Sequence, residues 1–419
     1  MSEQPILIAG GGIGGFAAAL ALSQRGRSVH LLEQASEFGE IGAGIQIGPN
    51  IFKMFDVLGV TEAINDFAVF PKYLVMRDAL TGREVVRTPV GSEAFRERYR
   101  YPYGVIYRPD LHNTLIDACK AQPQVRLSVN HKVTGFEDTG EGVRVFTEDG
   151  ATHEGAALVG ADGLWSLVRQ QLVGDGKPRV SGHIAYRAVL PTEEVPDHIR
   201  QDNVVLWAGP KTHLVHYPLH RGAIYNLVAV FHSDRYEEGW DTFGDPGELN
   251  QRFAGEHEDV LTMLSKIESW RMWVLCDREP IRDWSQGRVT LLGDAAHPML
   301  QYLAQGACMA TEDGVCLATR VAANGEDYAT AFQEYQSLRY LRTARVQLTA
   351  RFFGDLYHAA GATADLRDQI LGAADPTKPG EGMAWLYEGL DENGAQQFQP
   401  GAYFHPSPAQ SASSDLNSR

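Results

Sequence analysis

Three segments carry residue types that hold phosphates and chains of hydroxyl groups. Gly10-x-Gly12-x-x-Gly15 follows the apolar run Pro5 to Ala9. A glycine at 10 permits a tight turn, one at 12 lets backbone approach a pyrophosphate, and one at 15 lets a helix lie close to a strand. The helix N-terminus then faces the anion. Glu33, 18 residues after Gly15, is placed to accept a hydrogen bond from a ribose hydroxyl. The pattern predicts a bound dinucleotide and does not decide between NAD and FAD. The second segment, Asp162-Gly163-Leu164-Trp165-Ser166-Leu167-Val168-Arg169, follows the apolar AALVGA, and the third, Gly293-Asp294-Ala295-Ala296-His297-Pro298, follows VTLL. A carboxylate just past a buried strand is a directed acceptor, and the glycine before Asp294 leaves room for a ligand.

A different chemistry is offered by Thr212-His213-Leu214-Val215-His216-Tyr217. At a strand period of two, His213, Val215 and Tyr217 share one side. Two titratable groups with an apolar spacer suit the wall of a pocket for an aromatic acid. His213, with an ordinary pKa of about 6.5, is the candidate base for a phenol proton. Tyr217 is a candidate donor to a carboxylate or phenol oxygen, and Gln301, beside Tyr302, can donate and accept. Asp78 in VMRDA is a weaker candidate for the same pocket.

These groups need a scaffold that alternates strand and helix at its start. Pro5 to Ala9 reads as strand, Phe16 to Ser23 as helix and Ser28 to Glu33 as strand, a βαβ unit. Helical patterning follows at Asn50–Leu58 and Asp110–Ala121, where Leu111, Leu115, Ile116 and Cys119 share a face. Leu127 to Glu137, Val143 to Thr147 and Ala156 to Gly160 read as strands returning to that sheet. The runs HIAYRAVL, NVVLWAG, THLVHYPL and AIYNLVAVF predict a mainly antiparallel second sheet. Val289 to Leu292 is a further strand, and Gly306–Ala323 and Tyr328–Phe353 are long helices. The division expected is a dinucleotide-binding part at 1–177 with an excursion into the substrate layer at about 70–105, a β-rich part at 178–275, and a return at 276–360. An extension at 361–405 and a disordered tail at 406–419 complete the chain.

In order and separation, the Gly10, Asp162 and Gly293 segments resemble the single-component flavin-dependent aromatic hydroxylases, the family of p-hydroxybenzoate and salicylate hydroxylases. The similarity runs from Ile6 to about Phe353. It implies an α/β fold: a Rossmann-like FAD-binding domain of the p-hydroxybenzoate hydroxylase type, an inserted β-sheet substrate domain and C-terminal helices. By this resemblance Gly10, Gly12, Gly15, Glu33, Gln34, Ile47, Arg108, Val133, Asp162, Asp294 and Ala307 contact FAD. The Asp162–Arg169 segment would also help position the pyridine nucleotide. The helix from Gly306 would direct its N-terminal dipole at the flavin. NADH or NADPH would reduce the flavin from a transient site. O₂ would then be held as a flavin C4a-hydroperoxide that attacks an electron-rich ring in a dry pocket.

Where many relatives carry proline and glycine, this chain has Gln301 and Ala304. His213, Tyr217, Gln301, Tyr302 and the run Gln34 to Gly44 are similar to the branch that converts 3-hydroxybenzoate to 2,5-dihydroxybenzoate. Salicylate and 6-hydroxynicotinate hydroxylases are the alternatives, and the apolar Ile47 favours a benzenoid ring over a pyridine. A flavin-binding regulator without catalysis would share the FAD motifs but not the paired polar face at His213 and Tyr217.

The composition narrows the classes further. The 419 residues exceed the length at which one core stops growing, and 37 basic against 53 acidic residues give a net charge of −16, which argues against nucleic acid. Neutral donors such as Tyr217 and Gln301 are therefore the expected carboxylate partners. Four cysteines without metal or disulfide spacing predict no metal and a reducing, cytoplasmic setting. MSEQPILIAGGG lacks the basic start of a signal peptide, and no run is long enough to span a membrane. The family is often dimeric, so a homodimer is expected by analogy.

Overall fold

The apolar runs near the start of the chain are only four residues long and buried on both faces, so they form parallel strands rather than helices. In the computed structural model, which describes residues 4–39, 42–233, 242–375 and 377–396, they build a six-stranded sheet. Its order is Ser285–Gln286, Val289–Leu291, Ala157–Gly160, Ile6–Ala9, Val29–Leu32 and Val125–Ser128. All neighbours are parallel except the Ser285–Gln286 hairpin partner. The helix Ile13–Ser23 is apolar nearly all round because it is covered all round: ten of its eleven residues are buried. It packs on the helices Arg108–Lys120 and Gly306–Asn324. At Gly314 a Cβ would lie 2.8 Å from the Ala18 nitrogen, so those two backbones touch.

Leu127 to Glu137 is not one strand. Asn130 adopts a left-handed φ of 59°, which ends Val125–Ser128 and starts Val133–Asp138 in another sheet. That second sheet is antiparallel and also holds Val143–Thr147 and Thr152–Gly155. Of the three runs expected to return to the first sheet, only Val125–Ser128 and Ala157–Gly160 do so.

The largest sheet has eight strands in the order Thr242–Phe243, Arg271–Asp277, Arg179–Pro191, Ile224–His232, Thr212–Leu219, Asn203–Gly209, Tyr73–Asp78 and Glu84–Thr88. Its pairs are antiparallel except Asn203–Gly209 with Tyr73–Asp78. Strand alternation gives it two different faces. Ile184, Tyr186, Leu214, Leu227, Ala229 and Phe231 join a core with the helices Pro246–Arg252 and Glu258–Ser265. Ala185, Val228 and Val230 point the other way, into the core shared with the six-stranded sheet. His213, Val215 and Tyr217 lie on this second face, as do His183, Arg187, Asn226 and His232 by register.

The chain then closes over the first sheet with Gly306–Asn324 and Tyr328–Tyr357. No described helix is long and apolar enough to cross a membrane. The proposed tail at 406–419, and Glu40 and Ile41 of the Gln34 to Gly44 run, lie outside the described residues.

Candidate active site

Four parallel strands end at one edge, and the residues following them form one end of the site. After Ile6–Ala9 comes Gly10, at φ 106°, where a Cβ would sit 2.4 Å from the Ala161 carbonyl oxygen. At Gly15 a Cβ would be 2.0 Å from the Gly10 oxygen, while at Gly12 it would meet nothing within 4 Å. The first two glycines are demanded by packing, and Gly12 leaves the backbone open toward a ligand. After Val29–Leu32, Glu33 accepts from the Gly11 N–H at 2.6 Å and from the Ala35 N–H at 2.8 Å. Gln34 is exposed beside it. The backbone N–H groups of Asn130 and His131 donate to the Ala35 and Glu33 carbonyls, which brings the segment leading to the buried Val133 alongside.

After Ala157–Gly160, Asp162 accepts from Ser166 Oγ at 2.5 Å and from the Leu167 and Val168 N–H groups at 2.8 and 3.2 Å. Burial raises its pKa against those bonds. Arg169, at the end of this segment, is turned into the protein. Its wholly buried guanidinium pairs with Asp175 and donates to the Ala295 and Ala296 carbonyls at 2.9 and 2.6 Å. It ties the second motif to the third. There Asp294 is exposed between buried neighbours, and its Oδ1 lies 3.9 Å from where a Gly306 Cβ would be, beside the N-terminus of the Gly306–Asn324 helix. Ala307, half-buried, is the second residue of that helix.

Sequence reading missed the anchor beneath Asp294. Glu312 and Asp313 are fully buried and meet Arg339 and Arg342 of the following helix at 2.7 Å. Asp313 also accepts from His297 at 2.5 Å and from the Gly293 N–H at 3.1 Å, and Asn50 donates to Glu312 at 2.7 Å. Burial alone would raise both carboxyls, but the cations hold Glu312 below its ordinary pKa and Asp313 at about 2. Both acids stay ionised.

The other end of the site lies on the inner face of the eight-stranded sheet. Tyr217 packs against Gly44, where a Cβ would be 2.7 Å from its ring. The Gly44 N–H donates to Asn226 Oδ1 at 2.9 Å. Gly44 and the buried Ile47 belong to one short strand. Burial holds the Tyr217 hydroxyl well above its ordinary pKa, so it is a donor. Arg187, also missed, donates through Nη2 to Gln301 Oε1. Its guanidinium lies 5.2 Å from the Trp273 ring centroid. Burial lowers its pKa to about 10, with Tyr217 and Arg108 close enough to act on it, so it remains a cation. A buried guanidinium therefore stands beside Tyr217 and Gln301, the neutral donors expected from the sequence. The missed signal was an arginine flanked by apolar residues in RAVL.

His213 Nδ1 is 2.6 Å from His358 Nε2, and its ring lies 5.5 Å from Tyr302 and 5.8 Å from Tyr357. Its Nε2 has no hydrogen-bond partner among the described residues. Burial, then His183 and His232, lower its pKa to about 3. Burial among the other histidines thus favours the neutral form of the His213 ring, below the ordinary value expected of it from the sequence. The Asp78 carboxylate is engaged locally. It caps its own turn through the Leu80 and Thr81 N–H groups and the Thr81 hydroxyl.

This arrangement has close counterparts. The family described as FAD binding domain matches residues 3–349. The 3-hydroxybenzoate 6-hydroxylase of Polaromonas naphthalenivorans (strain CJ2) is 46% identical over 386 residues, covering 92% of this chain and 96% of that protein. The 3-hydroxybenzoate 6-hydroxylase 1 of Aquipseudomonas alcaligenes is 43% identical over 383 residues, covering 91% and 97%. The crystal structure of Klebsiella pneumoniae HpxO complexed with FAD and uric acid aligns with a TM-score of 0.79 at 25% identity, covering 90% of this chain and 95% of that one. With its strand-end glycines, its open Gly12 and its outward Asp294, the chain belongs to the FAD-binding-domain family and is a flavoprotein monooxygenase of the p-hydroxybenzoate hydroxylase fold.

Proposed function

We propose that the protein hydroxylates 3-hydroxybenzoate para to its hydroxyl group, giving 2,5-dihydroxybenzoate, with NADH or NADPH and O₂ as co-substrates. One oxygen atom enters the ring and the other leaves as water. Bound FAD supplies the electron transfer and the activation of O₂. Gly10, Gly12, Gly15, Glu33, Gln34, Val133, Asp162, Asp294 and Ala307 would hold it along the strand ends, with Ile47 and Arg108 at the pocket side.

The observation that carries the reading is a base and a cation on one sheet face. His213 presents a free Nε2, and the Arg187–Gln301 pair lies beside Tyr217. His213 would accept the phenol proton and so raise electron density at the ring carbon para to oxygen. Arg187, Gln301 and Tyr217 would hold the carboxylate, the charge-assisted bond being the stronger. Ile47, which is buried, would keep a benzenoid ring in apolar surroundings. The 43% and 46% identities to 3-hydroxybenzoate 6-hydroxylases support this substrate over its relatives.

The purified protein should be yellow and should oxidise NADH faster when 3-hydroxybenzoate is added, with the product identified by mass and NMR. His213→Ala should lower hydroxylation about 10²-fold or more while FAD stays bound. An unchanged ratio of product to NADH in that variant removes His213 from the base role.

We also infer a cytoplasmic homodimer. Cys119, Cys308 and Cys316 are buried and form no disulfide, in keeping with a reducing compartment. Leu338, Leu341, Leu348 and Phe352 expose 38, 61, 51 and 60% of their surfaces along one stripe of the Tyr328–Tyr357 helix. Light scattering should give a dimer that Leu341→Glu dissociates.

A further inference from the structure

The proton taken by His213 has to leave it. We propose that His213, His358 and His232 form a relay carrying the substrate's phenol proton to solvent, a role that rests on the phenolic-acid reading above. The rings come from two adjacent strands and the end of the Tyr328–Tyr357 helix. They are joined twice: His213 Nδ1 to His358 Nε2 at 2.6 Å, and His358 Nδ1 to His232 Nε2 at 2.9 Å. Exposure rises outward, from 2% at His213 and 6% at His358 to a half-buried His232. His232 lies near Lys211 and Asp355 at the rim. His183 stacks on His232 at 4.2 Å and bonds Tyr302, so it flanks the line without lengthening it.

The order of nitrogens gives the relay a direction. With each ring neutral and protonated on Nδ1, His213 Nε2 accepts the phenol proton. The His213 Nδ1 proton passes to His358 Nε2, the His358 Nδ1 proton to His232 Nε2, and the His232 Nδ1 proton to water. Three protons move one bond each, one leaves, and the phenol becomes phenolate. Every ring ends neutral on its other tautomer, so no imidazolium is left in a site that disfavours one. When the hydroxylated product regains a proton, the same hops run inward and restore the starting tautomers.

The test follows the bound phenol in the FAD-loaded enzyme, without reduced nucleotide, by phenolate absorbance after a pH jump in dilute buffer. A chelator is included because the nitrogens of His183, His232 and His358 lie within 4.8 Å of one another and a metal ion would occupy the same lone pairs. His232→Ala should slow ionisation about tenfold or more, with substrate affinity unchanged, and added imidazole should restore the rate. His358→Gln should slow it as much, without rescue at that buried position. An unchanged rate in His232→Ala, or a loss that imidazole does not restore, overturns the relay. Should the wild type neither ionise bound 3-hydroxybenzoate nor turn it over, the substrate reading fails and the relay with it.

Discussion

Two buried polar clusters hold the two ends of the site, and they solve desolvation in opposite ways. Under Asp294, Glu312 and Asp313 face Arg339, Arg342 and His297, so each charge is answered and the acids stay ionised. Under the substrate face, His183, His213, His232 and His358 face mainly one another, and all four are pushed toward the neutral form. Opposite charges make a fixed anchor. Like groups make a set of neutral rings whose protons can change places without any charge being stranded.

The comparison breaks first at Arg339. Arg339→Met leaves two buried acids short of a partner and should destabilise the protein by about 3–5 kcal/mol in denaturant unfolding, with FAD lost at lower denaturant than in the wild type. A loss below about 1 kcal/mol would mean that packing, not charge, holds the third motif.

The next effect is read against pH. His213 has a folded pKa of about 3, below its unfolded value, so the folded state binds fewer protons between about pH 6.5 and 3. Stability from this residue is present above pH 6.5 and is lost as pH falls through that window. At about 1.4 kcal/mol per pH unit, the wild type should lose about 2 kcal/mol more than His213→Asn between pH 6.5 and 5. Glu256, raised to about 7 by burial, acts in the opposite sense but is common to both proteins. Parallel stability curves would show that the ring is not held neutral.

The smallest effect belongs to the half-buried His232. His232→Gln should change thermal stability by about 0.5 kcal/mol or less. A large loss would make the cluster a structural one.

The division between what was legible in the sequence and what was not follows the range of the interactions. The Gly10 turn, Glu33 and the faces of Thr212–Leu219 follow local rules of spacing and period, and the fold obeys them. The break at Asn130 had a local sign that the strand reading of Leu127 to Glu137 passed over: LSVNHKVTGFE is largely polar, and asparagine is among the few side chains that take a left-handed φ readily. Glu312 and Asp313, read along a helix, look like solvated acids. Only the crossing of two helices brings Arg339 and Arg342 onto them. The His213 ring was found by period, but its proton affinity depends on His183, His232 and His358, which belong to three other elements.

The contact between Gly314 and the first helix, locked by the ionic anchor, also bears on synthesis. The helix that forms at residues 13–23 waits for cover supplied after residue 306, and the acids of that cover wait for residues 339 and 342. At about 5–20 residues per second, the first motif stays open for tens of seconds on the ribosome. A chain that stops short of Arg339 would carry two buried acids with neither arginine to meet them, so premature termination yields a substrate for proteolysis, not a smaller flavoprotein.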